Sequence, residues 1–588
     1  MHLLSDAPLI LLDFPADPLG SLLFTNPVEI IVARSVDEVQ PALRAVQAGA
    51  GRGLYAAGYL AYEAAPAFDP ALVVQGNSQM PLLWFGLFEE PQRVQVDALP
   101  PGGDFALAPW EPSISQEEYR AGIAAVRAAI ARGDTYQVNY TLRLRSHLTG
   151  DDFAFYRRLR AAQRAAYGGY LNLGRYRILS ASPELFFHWR GDELVTRPMK
   201  GTARRGHWAE EDAAQAAWLA ASEKNQAENV MIVDLLRNDL SRVARLGSVQ
   251  VPRLFEIERY PTVFQMTSTV IATARPGLTL EELLAALFPC GSITGAPKVS
   301  TMRLIAALEA APREVYCGAI GLVKPGGEAM FSVTIRTVWL DSETGQAEYG
   351  VGGGITWDST AVDEYEEALA KAALLTTEQP SFELLETLWL GGGRYRLLER
   401  HLERVAASAH TFDFPYDENA ICLALEQEAR DHPKEERRVR LLLAPTGACR
   451  VESTPLSSFA YIPLPRVALA NEPVSAANRF LYHKTTHRAL YETHRAAHPD
   501  AFDVLLWNEA REVTEFTIGN LVAEIDGALW TPPLASGLLP GTMRAETLAR
   551  GWIQERVIRL DELSRATHLW LINSVRGWVE VEVRKVTK

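Results

Sequence analysis

The chain has 588 residues, 48% of them hydrophobic and 22% charged, an ordinary composition for a folded soluble protein. At roughly 150 residues per domain, the length suggests about four domain-sized units or fewer large ones. The net charge of -14 argues against a nucleic-acid binder, which would carry a basic excess, and leaves an anionic substrate open only if its positive partners are local and few.

The N-terminal stretch MHLLSDAPLILLDF lacks a basic region, and Asp6 and Asp13 interrupt its apolar residues, so it does not read as a secretory signal. No segment has the continuous apolar character of a membrane span. The four cysteines, Cys290, Cys317, Cys422 and Cys449, lack CxxC spacing and suggest neither a disulfide framework nor a zinc site. A cytoplasmic protein, bound to neither membrane nor nucleic acid, is expected. Residues 1–375 mix long helices with many short apolar strands, which predicts an α+β unit with large sheets.

The segment KNQAENVMIVDLLRNDL (224–240) predicts a helix with an apolar stripe of Met231, Ile232, Leu235 and Leu236. Glu228 shares the face of that stripe. A carboxylate there must be protonated, paired or bound to a cation. A buried pair with Arg or Lys and a cation site both stay open. In VGGGITWDS (351–359), consecutive glycines let backbone N–H groups approach a ligand closely. No GKS or GKT follows, so this is not a P-loop. In EYEEALAK (364–371), Glu364, Glu367 and Lys371 share one helix face. They form either a solvated, ion-paired face or two carboxylates and an ammonium aimed into a cleft.

A polar stretch, TTEQPSF, then separates two patterns, and the seam is placed at residues 376–381. The second unit, residues 382–588, opens with FELLETLWLGGGRYRLLERH, which predicts strand, glycine turn, strand and helix. Lys484 sits among aromatics and a histidine in FLYHKTTHRALY, and Glu515 falls in a strand beside Thr514 and Thr517. In PGTMRAETLARGWI a turn feeds a helix start, where Thr542 and its neighbouring amides would make an anion site. For each residue alone, an ordinary surface or core role stays open.

Taken in order, GDTYQVNYT (133–141), SASPELF (180–186), RPMKGTARRG (197–206), AENVMIVDLLRNDL (227–240), FPCGSITGAPK (288–298), YCGAIG (316–321), FSVTIRT (331–337) and GGGITWDS…EYEEALAKA resemble the chorismate-utilising enzymes. That family includes anthranilate synthase component I, para-aminobenzoate synthase component I, and isochorismate and salicylate synthases. GYLAYEAAPAFDP (58–70) further resembles the para-aminobenzoate branch. The resemblance implies an αββα sandwich that binds chorismate. It implies that Glu228 and Glu367 hold Mg²⁺, whose preference for hard oxygen ligands suits carboxylates. It further implies that Arg336, Lys371, Tyr316, Thr294 and the amides around Gly352 and Gly354 bind substrate, and that Glu184 is the general acid for the departing C4 hydroxyl.

Two positions bear on the choice of reaction. Gln137, in the substrate set, lies where isochorismate synthases carry a water-activating lysine, and a glutamine amide cannot be that base. Lys200 lies where anthranilate synthases usually carry alanine and the para-aminobenzoate branch carries lysine, which implies a nucleophile. Its amine needs a lowered pKa, for which Arg204 and Arg205 are nearby candidates. Gln265 stands where many members have histidine. No glutaminase motif is present, so the resemblance implies a separate glutamine amidotransferase subunit, or free ammonia.

The second unit resembles the fold-type IV pyridoxal-phosphate enzymes, a two-subdomain α/β fold that includes aminodeoxychorismate lyase. The resemblance makes Lys484 the Schiff-base lysine and proton shuttle, Glu515 the partner of the pyridinium nitrogen, and Arg404, Thr542 and Ser574 the phosphate ligands. It leaves a homodimer through this unit open. The joint expectation is an enzyme that aminates chorismate and then eliminates pyruvate to give para-aminobenzoate. The alternatives are an anthranilate synthase joined to an aminotransferase, and a synthase joined to a non-catalytic docking module.

Overall fold

The strand Leu9–Asp13 is buried at every position, because both of its faces are covered. Its side chains alternate between two cores, as the two-residue period of a strand requires. Ile10 and Leu12 join Ala57, Tyr59, Ile178 and Ile320 in a core held between two large sheets. Leu9 and Leu11 turn the other way, to a core with Tyr119, Ile123, Phe155 and Ala368 from three helices. The second sheet buries its outer face with Val39 and Leu43, Val233 and Leu240, and Leu283 and Leu284, again from three helices. The result is a helix–sheet–sheet–helix sandwich, with sheets of 11 and 10 strands among the described residues.

The computed structural model describes residues 7–15, 20–260, 263–376, 380–456 and 464–583. Of the expected linker at 376–381, residues 377–379 lie outside the described residues. The chain divides into two units, Met1–Arg204 with Ala216–Gln379, and Arg205–Gln215 with Pro380–Lys588. Residues 205–215, expected in the first unit, therefore belong with the second. There Trp208 stacks on Tyr482, ring centroids 5.3 Å apart.

The second unit has two parts. A four-stranded sheet carries the strand Leu384–Gly391 beside Arg437–Leu443. Its core joins Leu388, Val439 and Leu441 to Val405 and Ala409 of the helix Leu398–Phe412 and to Ile421 and Leu425 of the helix Glu418–Asp431. A sheet of nine strands among the described residues follows, packed around Leu505, Val513, Phe516, Leu521 and Leu571. No helix among the described residues is long and apolar enough to cross a membrane.

Candidate active sites

In the first unit a cleft of about 220 Å³ opens against the strand Gln346–Ile355. It is lined by Glu184, Lys200, Glu228, Tyr316, Arg336, Gly352, Gly354, Glu367 and Lys371, residues drawn from six separate motifs. The glycine run is a strand paired to Gln137–Gly150, with Gly353 opposite Tyr140 and Gly354 opposite Asn139. Glycine provides space here for neighbouring side chains. A methyl group on Gly354 would stand 2.2 Å from Gln137 Nε2 and 3.1 Å from Lys200 Nζ. On Gly353 it would stand 2.8 Å from Glu364 Oε2.

The helix Ala361–Ala372 presents Glu364, Glu367 and Lys371 to this cleft, with Glu367 still exposed to solvent. Lys371 Nζ lies 2.6 Å from Glu367 Oε1 and donates to the Gly352 carbonyl at 2.9 Å. Arg336, in the left-handed backbone region at φ 52°, donates to the Lys371 carbonyl at 2.6 Å. Glu364 accepts from Ser359 Oγ at 2.6 Å.

Two expected residues stand outside the lining. Thr294 is fully buried, and its hydroxyl donates to the Cys290 carbonyl at 3.0 Å. Gln137 is also buried, and its Oε1 has no hydrogen-bond partner among the described residues. Asn139 and Lys224 do line the cleft, although neither was singled out from sequence. Lys224 lies four residues before Glu228 on the helix Glu223–Ser241, so the periodicity that marked Glu228 could have marked it too.

Burial sets the electrostatics of the cleft. It pushes the Glu184 carboxyl up to about 7, against the pull of Ser292 and Lys200. It lowers the Lys200 ammonium, and the like charge of Lys371 adds to that. Arg205 does not have the expected part in this, since its guanidinium is held by Asp212 at 2.8 Å in the other unit. Burial raises Glu228 and Glu364. It would raise Glu367 as well, but Lys371 outweighs it and holds that carboxyl low. Among the described residues no group of three or more His, Cys, Asp or Glu forms a closed metal site. Glu228 and Glu367 offer hard oxygens to a single cleft, a donor set that fits an ion completing its shell with substrate and water.

The second unit has a cavity of about 600 Å³. Lys484, Glu515, Arg404, Thr542 and Ser574 all line it. Burial, followed by the charges of Arg404 and Arg488, brings the Lys484 amine down to about 8. Burial lifts Glu515 to about 7, while its oxygens accept from Tyr491 OH at 2.8 Å and Asn520 Nδ2 at 3.3 Å. Gly541 precedes the helix Thr542–Ala549, and a methyl group there would fall 1.8 Å from Asn520 Oδ1. The close-packed helix start, the buried lysine and the buried carboxyl fit a phosphorylated pyridine cofactor.

Sequence reading missed Glu386, which is 1% exposed. Arg404 donates to it from Nε at 2.8 Å and Nη2 at 2.6 Å. His401 Nδ1 lies 2.6 Å from it, and the far side of the same imidazole meets Ser574 Oγ at 3.1 Å. Against burial, the Arg404 guanidinium holds the Glu386 carboxyl down at about 2. In LLETLWL it shares the two-residue face of Leu384, Leu388 and Leu390, so it was a carboxylate in an apolar stripe, like Glu228.

Residues 14–377 match the chorismate binding enzyme family, and residues 383–583 match amino-transferase class IV. Aminodeoxychorismate synthase component 1 of Klebsiella aerogenes is 40% identical over 309 residues, 52% of this chain and 68% of that protein. The protein of the same name from Escherichia coli (strain K12) is 43% identical over 272 residues, 46% of this chain and 60% of that protein. The chain thus matches about two thirds or less of the length of these curated relatives. Among solved structures, anthranilate synthase component I from Streptococcus pneumoniae TIGR4 superposes with a TM-score of 0.53 at 27% identity, covering 60% of this chain and 92% of that one.

Proposed function

Because the chain belongs to the chorismate binding enzyme family, we propose that its first unit aminates chorismate at C4 and that its second unit eliminates pyruvate from the product, giving para-aminobenzoate. The observation that carries the reading is the meeting of Lys200, with its lowered pKa, and Glu184, protonated to about 7, in one cleft. The Lys200 amine attacks ring carbon C2. The ring double bonds shift, and the C4 hydroxyl leaves as water with a proton from Glu184. Ammonia then adds at C4, the bonds shift back, and the lysine amine is expelled. The net change exchanges hydroxyl for amine and releases water. Arg336 and Lys371 orient substrate carboxylates, with Tyr316 and the amides at Gly352 and Gly354 beside them. Glu228 and Glu367 would hold Mg²⁺, which would neutralise a substrate carboxylate. Ammonia comes from a separate glutamine amidotransferase subunit, in keeping with relatives named as component 1.

In the second unit Arg404, Thr542 and Ser574 would hold the phosphate of pyridoxal phosphate, and Glu515 its ring nitrogen. When bound, that cofactor supplies an electron sink for breaking bonds next to the substrate amine. Lys484, at about 8, stands close enough to neutrality to take a proton and return it. The test is product analysis of Lys200→Ala against the parent chain, with chorismate, Mg²⁺, ammonium and pyridoxal phosphate. The parent should form para-aminobenzoate and the variant should lose it. An unchanged rate in the variant overturns the covalent step, and anthranilate from the parent overturns the reaction.

A further inference from the structure

Thr542 and Ser574, the hydroxyls expected to hold the cofactor phosphate, both line the second cavity and share one partner set back from it. That partner is His401, a buried residue of the helix Leu398–Phe412. Its Nδ1 lies 2.6 Å from Glu386 Oε2. Its Nε2 lies 3.1 Å from Ser574 Oγ and 3.4 Å from Thr542 Oγ1. One ring nitrogen thus meets both the start of the helix Thr542–Ala549 and the residue that follows the strand His568–Asn573.

Glu386 is ionised, because the Arg404 guanidinium holds its carboxyl down at about 2. A carboxylate can only accept, so Nδ1 of His401 carries a hydrogen whatever the charge of the ring. In the neutral ring Nε2 is then a bare acceptor. The single proton of Ser574 has that nitrogen and, at 3.3 Å, the Thr387 carbonyl to donate to. The Thr542 hydroxyl has the same nitrogen. Hydroxyls whose protons point at the histidine offer the cavity lone pairs, which repel an anion. A proton on Nε2 reverses the arrangement. The ring then donates to Ser574 Oγ, and both hydroxyl protons are free to turn to a phosphate. The charges acting on the ring are Glu386 from the strand Leu384–Gly391, Arg404 from its own helix, and Lys484. Nearby, Arg400 pairs with Glu546 of the helix Thr542–Ala549, and Arg396 donates to the Ser574 carbonyl at 3.3 Å. Among these groups burial lowers the pKa of His401 against the pull of Glu386, and Arg404 and Lys484 lower it further. A phosphate dianion brings the negative charge that favours the imidazolium.

We propose that His401 is a positioning residue for the cofactor phosphate: it takes up one proton as the phosphate binds and, as an imidazolium anchored on Glu386, turns the Ser574 and Thr542 hydroxyls towards it. This role rests on the reading of the cavity as a pyridoxal-phosphate site. Arg404 cannot supply the whole of the needed charge, since its guanidinium is already paired with Glu386 at 2.6 Å. The proton on His401 adds a positive charge beside the phosphate ligands only when the anion is there.

The test uses the full chain freed of pyridoxal phosphate. The probe is 4′-deoxypyridoxine 5′-phosphate, which keeps the ring and the phosphate but has no aldehyde to react with Lys484. Calorimetry near neutral pH, in two buffers of different ionisation enthalpy, reads both Kd and the protons taken up on binding. Parent, His401→Asn and His401→Gln chains are compared. Protons exchanged by the probe, Lys484 and Glu515 are common to all three, so the difference isolates the ring. The parent should take up about one proton more than either variant. His401→Asn keeps an N–H for Glu386 but brings none to Ser574. Its Kd should rise about tenfold or more, the value of one charged hydrogen bond. His401→Gln carries an amide N–H to where Nε2 stands. It should recover part of the affinity without recovering the proton, a split that a merely structural histidine would not produce. Equal proton uptake in the parent and His401→Gln overturns the proposal, even should the asparagine variant fail to fold. If the parent prefers the probe over unphosphorylated 4′-deoxypyridoxine while uptake is equal, the proposal fails and the cofactor reading stands. If the parent shows no such preference, the cofactor reading fails and takes the proposal with it.

Discussion

Glu364 Oε2 lies 2.8 Å from where a β-carbon on Gly353 would sit, and Lys371 Nζ lies 3.7 Å from that point. The middle glycine of the run is therefore the floor under the carboxylate and ammonium groups of the helix Ala361–Ala372. Gly353→Ala would push Glu364 off Ser359 and displace the helix face that orients substrate. The expected result is a loss of about 100-fold in chorismate amination, the usual cost of a misplacement near 1 Å. Pyruvate elimination from added 4-amino-4-deoxychorismate should be unchanged, since its cavity lies in the other unit. Equal losses in both assays would point to general misfolding instead.

Metal removal should separate the two activities in the same way. Glu228 and Glu367 supply at most part of an octahedral shell, so the ion is expected to be held weakly and to leave on dialysis against a chelator. Amination should then vanish and return with Mg²⁺, while elimination persists throughout. Glu228→Gln should raise the Mg²⁺ concentration needed for half-maximal amination by tenfold or more (about 1.4 kcal/mol). An amination rate indifferent to chelation would remove Mg²⁺ from the reaction.

Lys484→Ala should leave the first unit working and stop the second. Chorismate, Mg²⁺ and ammonium should then yield accumulating 4-amino-4-deoxychorismate, detected by chromatography, in place of para-aminobenzoate. The cofactor's absorbance band should shift, because its covalent anchor is gone. Continued para-aminobenzoate formation would make the second unit a docking module.

Glu386 ties Arg404 and His401 together from a nearly dry position. Glu386→Gln leaves that guanidinium without its counter-charge, at a cost of about 3 kcal/mol or more. The second unit's transition in guanidinium unfolding, followed by loss of the cofactor band, should move to lower denaturant. The carboxyl falls from an ordinary 4.5 to about 2 on folding. The folded state therefore binds fewer protons than the unfolded one, and this stabilisation is present above about 4.5 and lost as pH falls towards 2. The variant should lack that part of the parent's acid sensitivity.

How far the sequence revealed these sites depends on the kind of signal each residue leaves. Periodicity marked Glu228, Glu367 and Lys371, because a charged residue on an apolar or shared helix face stands out. The same reasoning applied to the strand Leu384–Gly391 would have found Glu386. Thr294 was drawn in by its place in a motif, but its side chain turns to the Cys290 carbonyl, and no linear pattern encodes that rotation. Arg205 stood near Lys200 in sequence, but the chain after Arg204 joins the other unit, where Asp212 takes the guanidinium. Arg438 and Arg440 lie on a strand face that reads as exposed. Only the pairing of that strand with Leu384–Gly391 and the fold of distant segments bring them to a cavity wall. The large sheets were legible because strands covered on both faces are mostly apolar, as Leu9–Asp13 is up to its closing aspartate, whereas the αββα layering came from the family resemblance.

The pH profile of amination tests the pairing of acid and nucleophile. Glu184, raised to about 7 by burial, acts only when protonated, so its active fraction falls as pH rises through that value. Lys200, lowered by burial and by Lys371, acts only when neutral, so its active fraction rises with pH. Their product is a bell, whose two apparent pKa values belong to the pair rather than to either group. The profile of kcat/KM must be taken at constant free ammonia, since ammonium titrates across the same range. Glu184→Gln keeps the shape of the acid but cannot donate a proton to the leaving hydroxyl. Its rate should drop by about 10²- to 10⁴-fold. What remains should climb steadily with pH, because only the lysine requirement is left. A variant that keeps the full bell would show that Glu184 is not the acid, and the descending limb would then have to come from another group in the cleft.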